Sequence, residues 1–217
     1  MIKQSKGKAL LENAYKLKTP TDNISYYDEF AVVYDHDFAR DMGWNYPQAI
    51  ADLYSEIATD EDLPIADIGC GTGLVAEEME VPRDVIDGFD ISSRMLEIAE
   101  DKSLYRRLYQ ADLTGSVAAV PNDYGAIVSA GTFTHGHLGP DDLENILAMG
   151  QPGCLFIVGI NKMHFDELDF GGVVEALSTN LSISNAEVRK ISMYSKKNHE
   201  HGADIALALI FRKSNKL

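Results

Sequence analysis

The chain has 217 residues, of which 45% are hydrophobic and 24% are charged, and its formal net charge is −15. These values fit one globular domain with a full core, and no apolar run approaches the roughly 20 residues of a membrane-spanning helix. A protein that grips nucleic acid should surround its site with basic residues, so such a partner is disfavoured, and two cysteines without metal-ligand spacing favour a reduced, cytoplasmic protein without metal.

The N-terminal part predicts helices. The first 20 residues are rich in lysine and indicate a loosely helical segment. Asp22 or Asn23 can then cap a second helix, which carries apolar and aromatic side chains on one face. The residues of that face are Tyr27, Phe30, Ala31, Tyr34 and Phe38. Such a stripe usually packs into a core, and a cover over a ligand is the alternative. A helix over residues 47–58 would continue the same layer.

Residues 65–73, Ile-Ala-Asp-Ile-Gly-Cys-Gly-Thr-Gly, predict a buried strand followed by a glycine turn. Backbone without Cβ lets a ligand approach, and the next helix offers unpaired N–H groups at its N-terminus. Asp67, at the end of a buried strand, is costly unless a cation or a donor faces it. A dinucleotide fingerprint needs G-x-G-x-x-G, but position 74 is Leu. The turn therefore indicates a nucleotide-type site and disfavours a nicotinamide oxidoreductase.

Residues 84–90 predict a second strand that ends in an acid, Asp90. An acid at the tip of this strand can accept hydrogen bonds from both hydroxyls of a ribose. Ile91 would then lie against the adenine ring. Ser92 is a good N-cap for the helix that carries Met95.

Later segments complete a sheet. Strands are predicted over residues 105–110, 123–130, 154–160, 186–194 and 203–212, and helices over 139–149 and 165–180, the second interrupted at Gly171 and Gly172. Alternating strands and helices imply right-handed parallel crossovers, and the last two strands indicate a hairpin. The predicted fold is therefore α/β, with a seven-stranded, mostly parallel sheet and an antiparallel C-terminal hairpin. Ligands collect at the carboxyl ends of such strands, here at Ala111, Asp112, Leu113, Ala130 and Gly131.

Two histidines follow the fourth strand in the segment Gly-Thr-Phe-Thr-His-Gly-His-Leu, residues 131–138. His135 and His137 could be a general base, a metal pair or loop residues. Metal is the weakest alternative because the other four histidines are scattered and no matching ligand spacing accompanies the pair. A base is plausible because a hydroxyl or amine nucleophile must lose a proton. Loop packing is the default for either histidine taken singly.

Residues 65–73 resemble the D-x-G-x-G-x-G motif of class I S-adenosylmethionine-dependent methyltransferases. Residues 26–35 resemble the Y-D-x-[WF]-A-x-x-Y-D segment that precedes the Rossmann-like core of many small-molecule members. In the subgroup that resembles the methyltransferase-like protein of the Williams–Beuren chromosomal region, R-R-L-x-x-A-D-L and G-x-F-x-H-G-H-[LV] segments occur. Here they stand at residues 106–113 and 131–138.

The resemblance implies a methyltransferase with S-adenosylmethionine as cofactor and S-adenosylhomocysteine as product. It implies that residues 1–60 form a helical lid and that residues 61–217 form the Rossmann-like part of one structural domain. The glycine turn would hold the methionine end of the cofactor, and Asp112 would accept from the adenine amino group. The expected cofactor contacts are Tyr27, Tyr34, Asp67, Gly69, Cys70, Gly71, Thr72, Gly73, Asp90, Ile91, Ser92, Met95, Ala111, Asp112, Leu113, Ala130 and Gly131. Thr132, Phe133 and His135 are expected to contact the acceptor, and His135 or His137 to act as the base.

Missing motifs narrow the chemistry. The chain has neither the [DNS]-P-P-[YF] motif of base and glutamine N-methyltransferases nor a cluster-binding cysteine run. In-line methyl transfer to oxygen, nitrogen, sulfur or an activated carbon of a small molecule is therefore expected, from a monomer or homodimer. The alternative is a non-catalytic cofactor sensor or partner subunit of the same fold. Its mark would be a featureless loop after the fourth strand, which residues 131–138 are not.

Overall fold

The computed structural model describes residues 13, 17, 19–115, 117, 120–196 and 201–215. The helix predicted within residues 1–20 lies mostly outside this set. No helix among the described residues is long and apolar enough to cross a membrane.

One seven-stranded sheet runs through the molecule in the order β3-β2-β1-β4-β5-β7-β6. Its strands are β1 Ile65–Ile68, β2 Ile86–Asp90, β3 Arg107–Gln110, β4 Tyr124–Phe133, β5 Gly150–Asn161, β6 Ile183–Ser192 and β7 Ile205–Lys213. Strands β1 to β5 pair in parallel, whereas β7 is antiparallel to both β5 and β6. The predicted α/β fold with an antiparallel C-terminal hairpin is confirmed.

Helices cover both faces of this sheet. They are α1 Pro20–Val33, α2 Tyr46–Ile57, α3 Leu74–Glu78, α4 Ser93–Asp101, α5 Pro140–Leu147, α6 Lys162–Glu167 and α7 Phe170–Thr179, with a π-helical segment at Tyr34–Arg40 and a 3-10 turn at Arg83–Val85. Because successive strand residues point to opposite faces, Ile65 packs in one core with α1 and α2, and Ala66 packs in the other core with α5 and α7. The predicted aromatic face of α1 contributes Phe30 to the first core.

The start of α1 differs from the prediction. Thr19 is the N-cap: its Oγ1 accepts from the Asp22 backbone N–H at 3.2 Å, and Asp22 Oδ2 accepts from the Thr19 N–H at 3.1 Å. Asp22 therefore completes a capping box instead of capping the helix itself. The predicted cap at Asp22 or Asn23 is wrong, and Asn23 is free to face the interior of the fold.

Two other element boundaries also differ. The helix predicted over residues 165–180 breaks at Leu168 and Asp169, not at the glycine pair, because Asp169 adopts φ of 54° and its Oδ1 accepts from the Gly172 N–H at 3.1 Å. Strand β4 continues to Phe133, three residues beyond its predicted end at Ala130. The start of the predicted post-strand loop is therefore strand.

A buried carboxylate joins β2 to β4 and to Arg106, the residue before β3. Asp87 on β2 is fully buried and accepts from Arg106 Nε at 2.9 Å and Arg106 Nη2 at 2.8 Å. The Tyr124 hydroxyl on β4 donates to Asp87 Oδ2 at 2.8 Å. Buried charges are tolerated when they are paired and hydrogen-bonded in this way. The network fixes β2 and β4 at the end of the sheet away from the glycine turn.

Candidate functional site

The glycine turn between β1 and α3 has a left-handed backbone. Gly69 and Gly71 have φ of +65° and +54°, a region that side chains with a Cβ rarely adopt. A Cβ on Gly69 would lie 1.9 Å from Thr132 Oγ1, which donates to the Ile68 carbonyl oxygen at 3.0 Å. A Cβ on Gly71 would meet nothing within 4 Å. The turn is thus closed toward β4 at Gly69 and open at Gly71.

Asp90, at the tip of β2, is held by backbone donors. Its Oδ2 accepts from the Gly71 N–H at 2.8 Å and its Oδ1 accepts from the Ser92 N–H at 2.9 Å. Burial raises the pKa of this carboxyl above its ordinary value, although both backbone bonds counter that effect. Since each carboxylate oxygen carries two acceptor sites, Asp90 can still accept two further hydrogen bonds.

Asp67, at the end of β1, faces a phenol and not a cation. Its side chain is 1% exposed, and its Oδ2 accepts from the Tyr105 hydroxyl at 2.8 Å. Its Oδ1 is buried and has no hydrogen-bond partner among the described residues. Burial and the nearby Asp90 charge raise the pKa of Asp67 to about 7, although the hydrogen bond from Tyr105 acts in the opposite direction. The sequence expectation of a facing cation or donor is met by a donor.

A cleft opens between the glycine turn, the ends of β2 to β4, and α1. The predicted site residues that line it are Tyr27, Tyr34, Gly69, Gly71, Asp90, Ile91, Met95, Ala111, Asp112, Leu113, Ala130, Gly131, Thr132 and His137. Asn23, Phe89, Thr114 and Leu138 also line it and were not predicted. For Asn23 a signal existed, because it precedes Tyr27 by four residues and so shares its helix face.

The other predicted site residues are not among those that line the cleft. They are Asp67, Cys70, Thr72, Gly73, Ser92, Phe133 and His135. Thr72 Oγ1 donates to Asp35 Oδ1 at 2.5 Å, and Ser92 Oγ donates to Asp28 Oδ1 at 2.6 Å. These bonds attach α1 and the π-helical segment to the glycine turn and to the start of α4.

His137 is the histidine on the cleft. Its Nδ1 lies 3.0 Å from the His135 carbonyl oxygen. Because a carbonyl only accepts, Nδ1 carries the proton and Nε2 holds the lone pair of the neutral ring. Nε2 is shielded from solvent and accepts no hydrogen bond from the described residues. Burial lowers the pKa of His137, which favours the neutral ring.

His135 points away from the cleft. Its Nε2 lies 2.9 Å from Glu167 Oε2, and its ring lies 5.0 Å from the ring of His164. Phe133 is fully buried and packs on Phe170 with ring centroids 6.2 Å apart. Within the described part of the chain, no group of three or more His, Cys, Asp or Glu residues is arranged to hold a metal.

Residues 65–150 match the family described as methyltransferase domain. Residues 65–150 therefore form a methyltransferase domain. Methyltransferase-like protein 27 of Homo sapiens is 28% identical over 152 residues, which cover 68% of this chain and 61% of the human protein. This chain thus spans about three fifths of that relative's length.

Solved structures share the fold of this methyltransferase domain. A TehB-like S-adenosylmethionine-dependent methyltransferase from Corynebacterium glutamicum has a TM-score of 0.58 at 20% identity, covering 88% of this chain and 99% of its own. A phosphoethanolamine N-methyltransferase 2 of Haemonchus contortus, in complex with phosphomonomethylethanolamine and S-adenosylhomocysteine, has a TM-score of 0.58 at 13% identity, covering 91% and 60%.

The residues on the cleft fit the cofactor of this methyltransferase family, S-adenosylmethionine. Gly71 leaves open space where a side chain would project, and a ligand can therefore approach the backbone of the turn. Asp90 keeps two acceptor sites for a vicinal diol such as that of ribose. Ile91 and Met95 give apolar surface beside it for a planar base.

Proposed function

We propose that this chain transfers a methyl group from S-adenosylmethionine to a small-molecule acceptor. The observation that carries the proposal is Asp90, whose carboxylate is fixed by two backbone N–H groups and lines the cleft between the glycine turn and α1.

Cofactor binding would divide among three parts of the cleft. Asp90 would accept from the ribose hydroxyls, Asp112 from the adenine amino group, and the turn at Gly71 would hold the amino-acid end. When bound, S-adenosylmethionine supplies an electrophilic methyl group on a sulfonium that leaves as a thioether. The protein then has to align the acceptor and exclude water. Tyr27 and Tyr34 on the cleft's α1 side would provide that cover.

His137 is the better candidate for the base. Its Nε2 carries the lone pair of the neutral ring and its side chain lines the cleft, whereas His135 pairs with Glu167 outside it. Nε2 would take a proton from an acceptor hydroxyl or ammonium group. His135 would instead keep the loop in place through its backbone carbonyl.

The contacts around the cleft favour a small acceptor. The Asn23 side chain donates to the Gly136 carbonyl oxygen at 2.7 Å, so α1 is fastened across the opening. A large acceptor would have to displace this helix.

The two cysteines favour a cytoplasmic protein. Cys70 and Cys154 are both free and buried, as is usual in a reducing compartment. We propose that the protein acts as a monomer or a homodimer.

Binding and transfer test the proposal separately. Calorimetric titration should show S-adenosylhomocysteine binding and no NAD binding, and NAD binding alone would reverse the assignment. Labelled cofactor incubated with a metabolite extract should give a labelled product, and none across broad acceptor pools would favour the non-catalytic sensor.

Two histidine variants test whether His137 is the general base. His137→Asn keeps a donor for the His135 carbonyl but removes Nε2, and it should lower kcat by about 10²–10⁴-fold. His135→Asn should keep most of the turnover. Because burial lowers the pKa of His137, the acidic limb of the kcat profile should lie below the ordinary histidine value of about 6.5. Equal losses in both variants would remove His137 from the base role.

A further inference from the structure

Two buried hydrogen-bond acceptors that have no partner among the described residues belong to side chains that line the same cleft. Asn23 is 4% exposed, and its Oδ1 accepts no hydrogen bond from any residue that the structure describes. The same holds for His137 Nε2. Asn23 bonds to Gly136, the neighbour of His137, and the Tyr27 ring lies 5.5 Å from the His137 ring. The two side chains therefore belong to one corner of the cleft, between α1 and the loop that carries His137.

Their hydrogen-bonding roles follow from the backbone groups that hold them. Asn23 Nδ2 lies 2.7 Å from the Gly136 carbonyl oxygen, and since a carbonyl only accepts, the amide nitrogen must face it and Oδ1 must be the free end. The His135 carbonyl sets the His137 tautomer by the same reasoning. Both free atoms are acceptors, so a ligand that satisfies both must bring two donors.

We infer that the methyl acceptor is an amine, whose N–H groups donate to Asn23 Oδ1 and His137 Nε2. The inference rests on the proposed methyltransferase function and specifies its substrate class. A primary amine or an ammonium group carries two or three donors on one nitrogen, a hydroxyl carries one, and a carboxylate carries none. Only the nitrogen compounds can satisfy the two acceptors with the atom that receives the methyl group.

The charge around this corner agrees with an amine. A second groove shares His137 and Thr114 with the cleft, and Asp141, Asp142 and Asp169 line it. Among the described residues that line the cleft or the groove there is no lysine or arginine. Such a surface attracts cations and repels carboxylates and phosphates.

The transfer balances with the groups named. One proton passes from the ammonium nitrogen to His137 Nε2, which leaves a lone pair on the nitrogen. That pair forms the bond to the methyl carbon as the carbon–sulfur bond breaks, and the electrons of the broken bond stay on sulfur. The positive charge passes to the methylated nitrogen, and His137 returns its proton to solvent.

Binding to the protein loaded with S-adenosylhomocysteine tests the inference without turnover. The probes are primary and secondary amines, each matched to the alcohol and carboxylate of the same skeleton, as in benzylamine, benzyl alcohol and benzoate. Calorimetry should show amines binding at least about tenfold more tightly than their matched partners. Asn23→Leu and, separately, His137→Asn should each weaken amine binding by about tenfold or more, the effect expected for a lost hydrogen bond to a charged group. Each should weaken amine binding by a larger factor than it weakens S-adenosylhomocysteine binding. Ser25→Ala, an exposed control on the same helix, should leave both affinities within about twofold.

The possible results separate the two proposals. If S-adenosylhomocysteine does not bind the wild-type protein, the proposed function fails. If it binds but alcohols or carboxylates match the amines, or no amine binds, the substrate class is wrong. If either variant mainly weakens S-adenosylhomocysteine, the two acceptors serve the cofactor, and the inference falls. Should Asn23→Leu not fold, the His137→Asn result decides alone, because that variant keeps the bond to the His135 carbonyl.

Discussion

The Gly71 backbone N–H donates to Asp90 Oδ2 over 2.8 Å and so joins the turn after β1 to the tip of β2. One carboxylate therefore serves two purposes: it fixes the shape of the glycine turn and it lines the cleft. The Ser92 N–H holds the other oxygen at 2.9 Å, so the Asp90 side chain is oriented before any ligand arrives. Preorganisation of this kind lowers the cost of binding.

Asp90→Ala should strongly weaken S-adenosylhomocysteine binding. The change removes two hydrogen bonds to a charged group, each contributing roughly 1.5–3 kcal/mol, so affinity should fall by about 10²–10⁴-fold in calorimetry. Asp101→Ala, which removes an exposed acid at the end of α4, is the matched control and should bind normally. An unchanged affinity for Asp90→Ala would show that the ribose is held elsewhere.

Two glycine substitutions in the turn should separate binding from folding. Gly71→Ala places its Cβ in open space, so the variant should fold with a cost of about 1–2 kcal/mol for the left-handed backbone but lose cofactor affinity. Gly69→Ala would place its Cβ 1.9 Å from Thr132 Oγ1 and should be destabilised more. Thermal unfolding and calorimetry of both variants would check this, and equal destabilisation would contradict it.

The parts of the site that could be predicted are those with local signals. The strand, the glycine turn and Asp90 lie within 26 consecutive residues, 65–90, and each follows from burial or backbone conformation in its own segment. The sheet followed from alternating patterns and the rule of right-handed crossovers. These features need no knowledge of distant contacts.

The histidines could not be placed for the opposite reason, and for Asn23 the sequence indicated only the helix face that it shares with Tyr27. Whether His135 or His137 lines the cleft depends on Glu167, which lies 32 residues later and draws His135 away. Asn23 faces the cleft because Thr19 takes the cap and because the Asn23 amide donates to the Gly136 carbonyl oxygen. Gly136 lies 113 residues away in sequence. Side-chain direction in these segments is set by tertiary contacts that periodicity does not encode.

Arg106→Leu should destabilise the fold by about 3 kcal/mol, the low end of the range for breaking a buried ion pair, since Arg106 is partly exposed. The variant leaves the fully buried Asp87 carboxylate with the Tyr124 hydroxyl as its remaining donor among the described residues. Arg107→Leu alters the adjacent exposed arginine and should change stability little. Urea unfolding of both variants measures the difference, and similar midpoints would show that the pair contributes nothing.

Asp67→Asn should remove a pH dependence of stability. The pKa of Asp67 is about 7 in the folded protein against an ordinary value of 3.8, so between about pH 4 and 7 the folded state binds more protons than the unfolded state. The free energy of unfolding therefore falls as pH rises through this window and levels off above pH 7. Relative to the wild type, Asp67→Asn should gain stability over the same window, by at most roughly 4 kcal/mol at about 1.36 kcal/mol per pKa unit.

Asp62→Asn is the control with the opposite sign. Arg212 and Thr59 lower the pKa of Asp62, so the stability that the Asp62 carboxylate contributes is lost as pH falls. Urea unfolding at several pH values measures both variants, and parallel stability curves for Asp67→Asn and the wild type would show that Asp67 is ionised throughout.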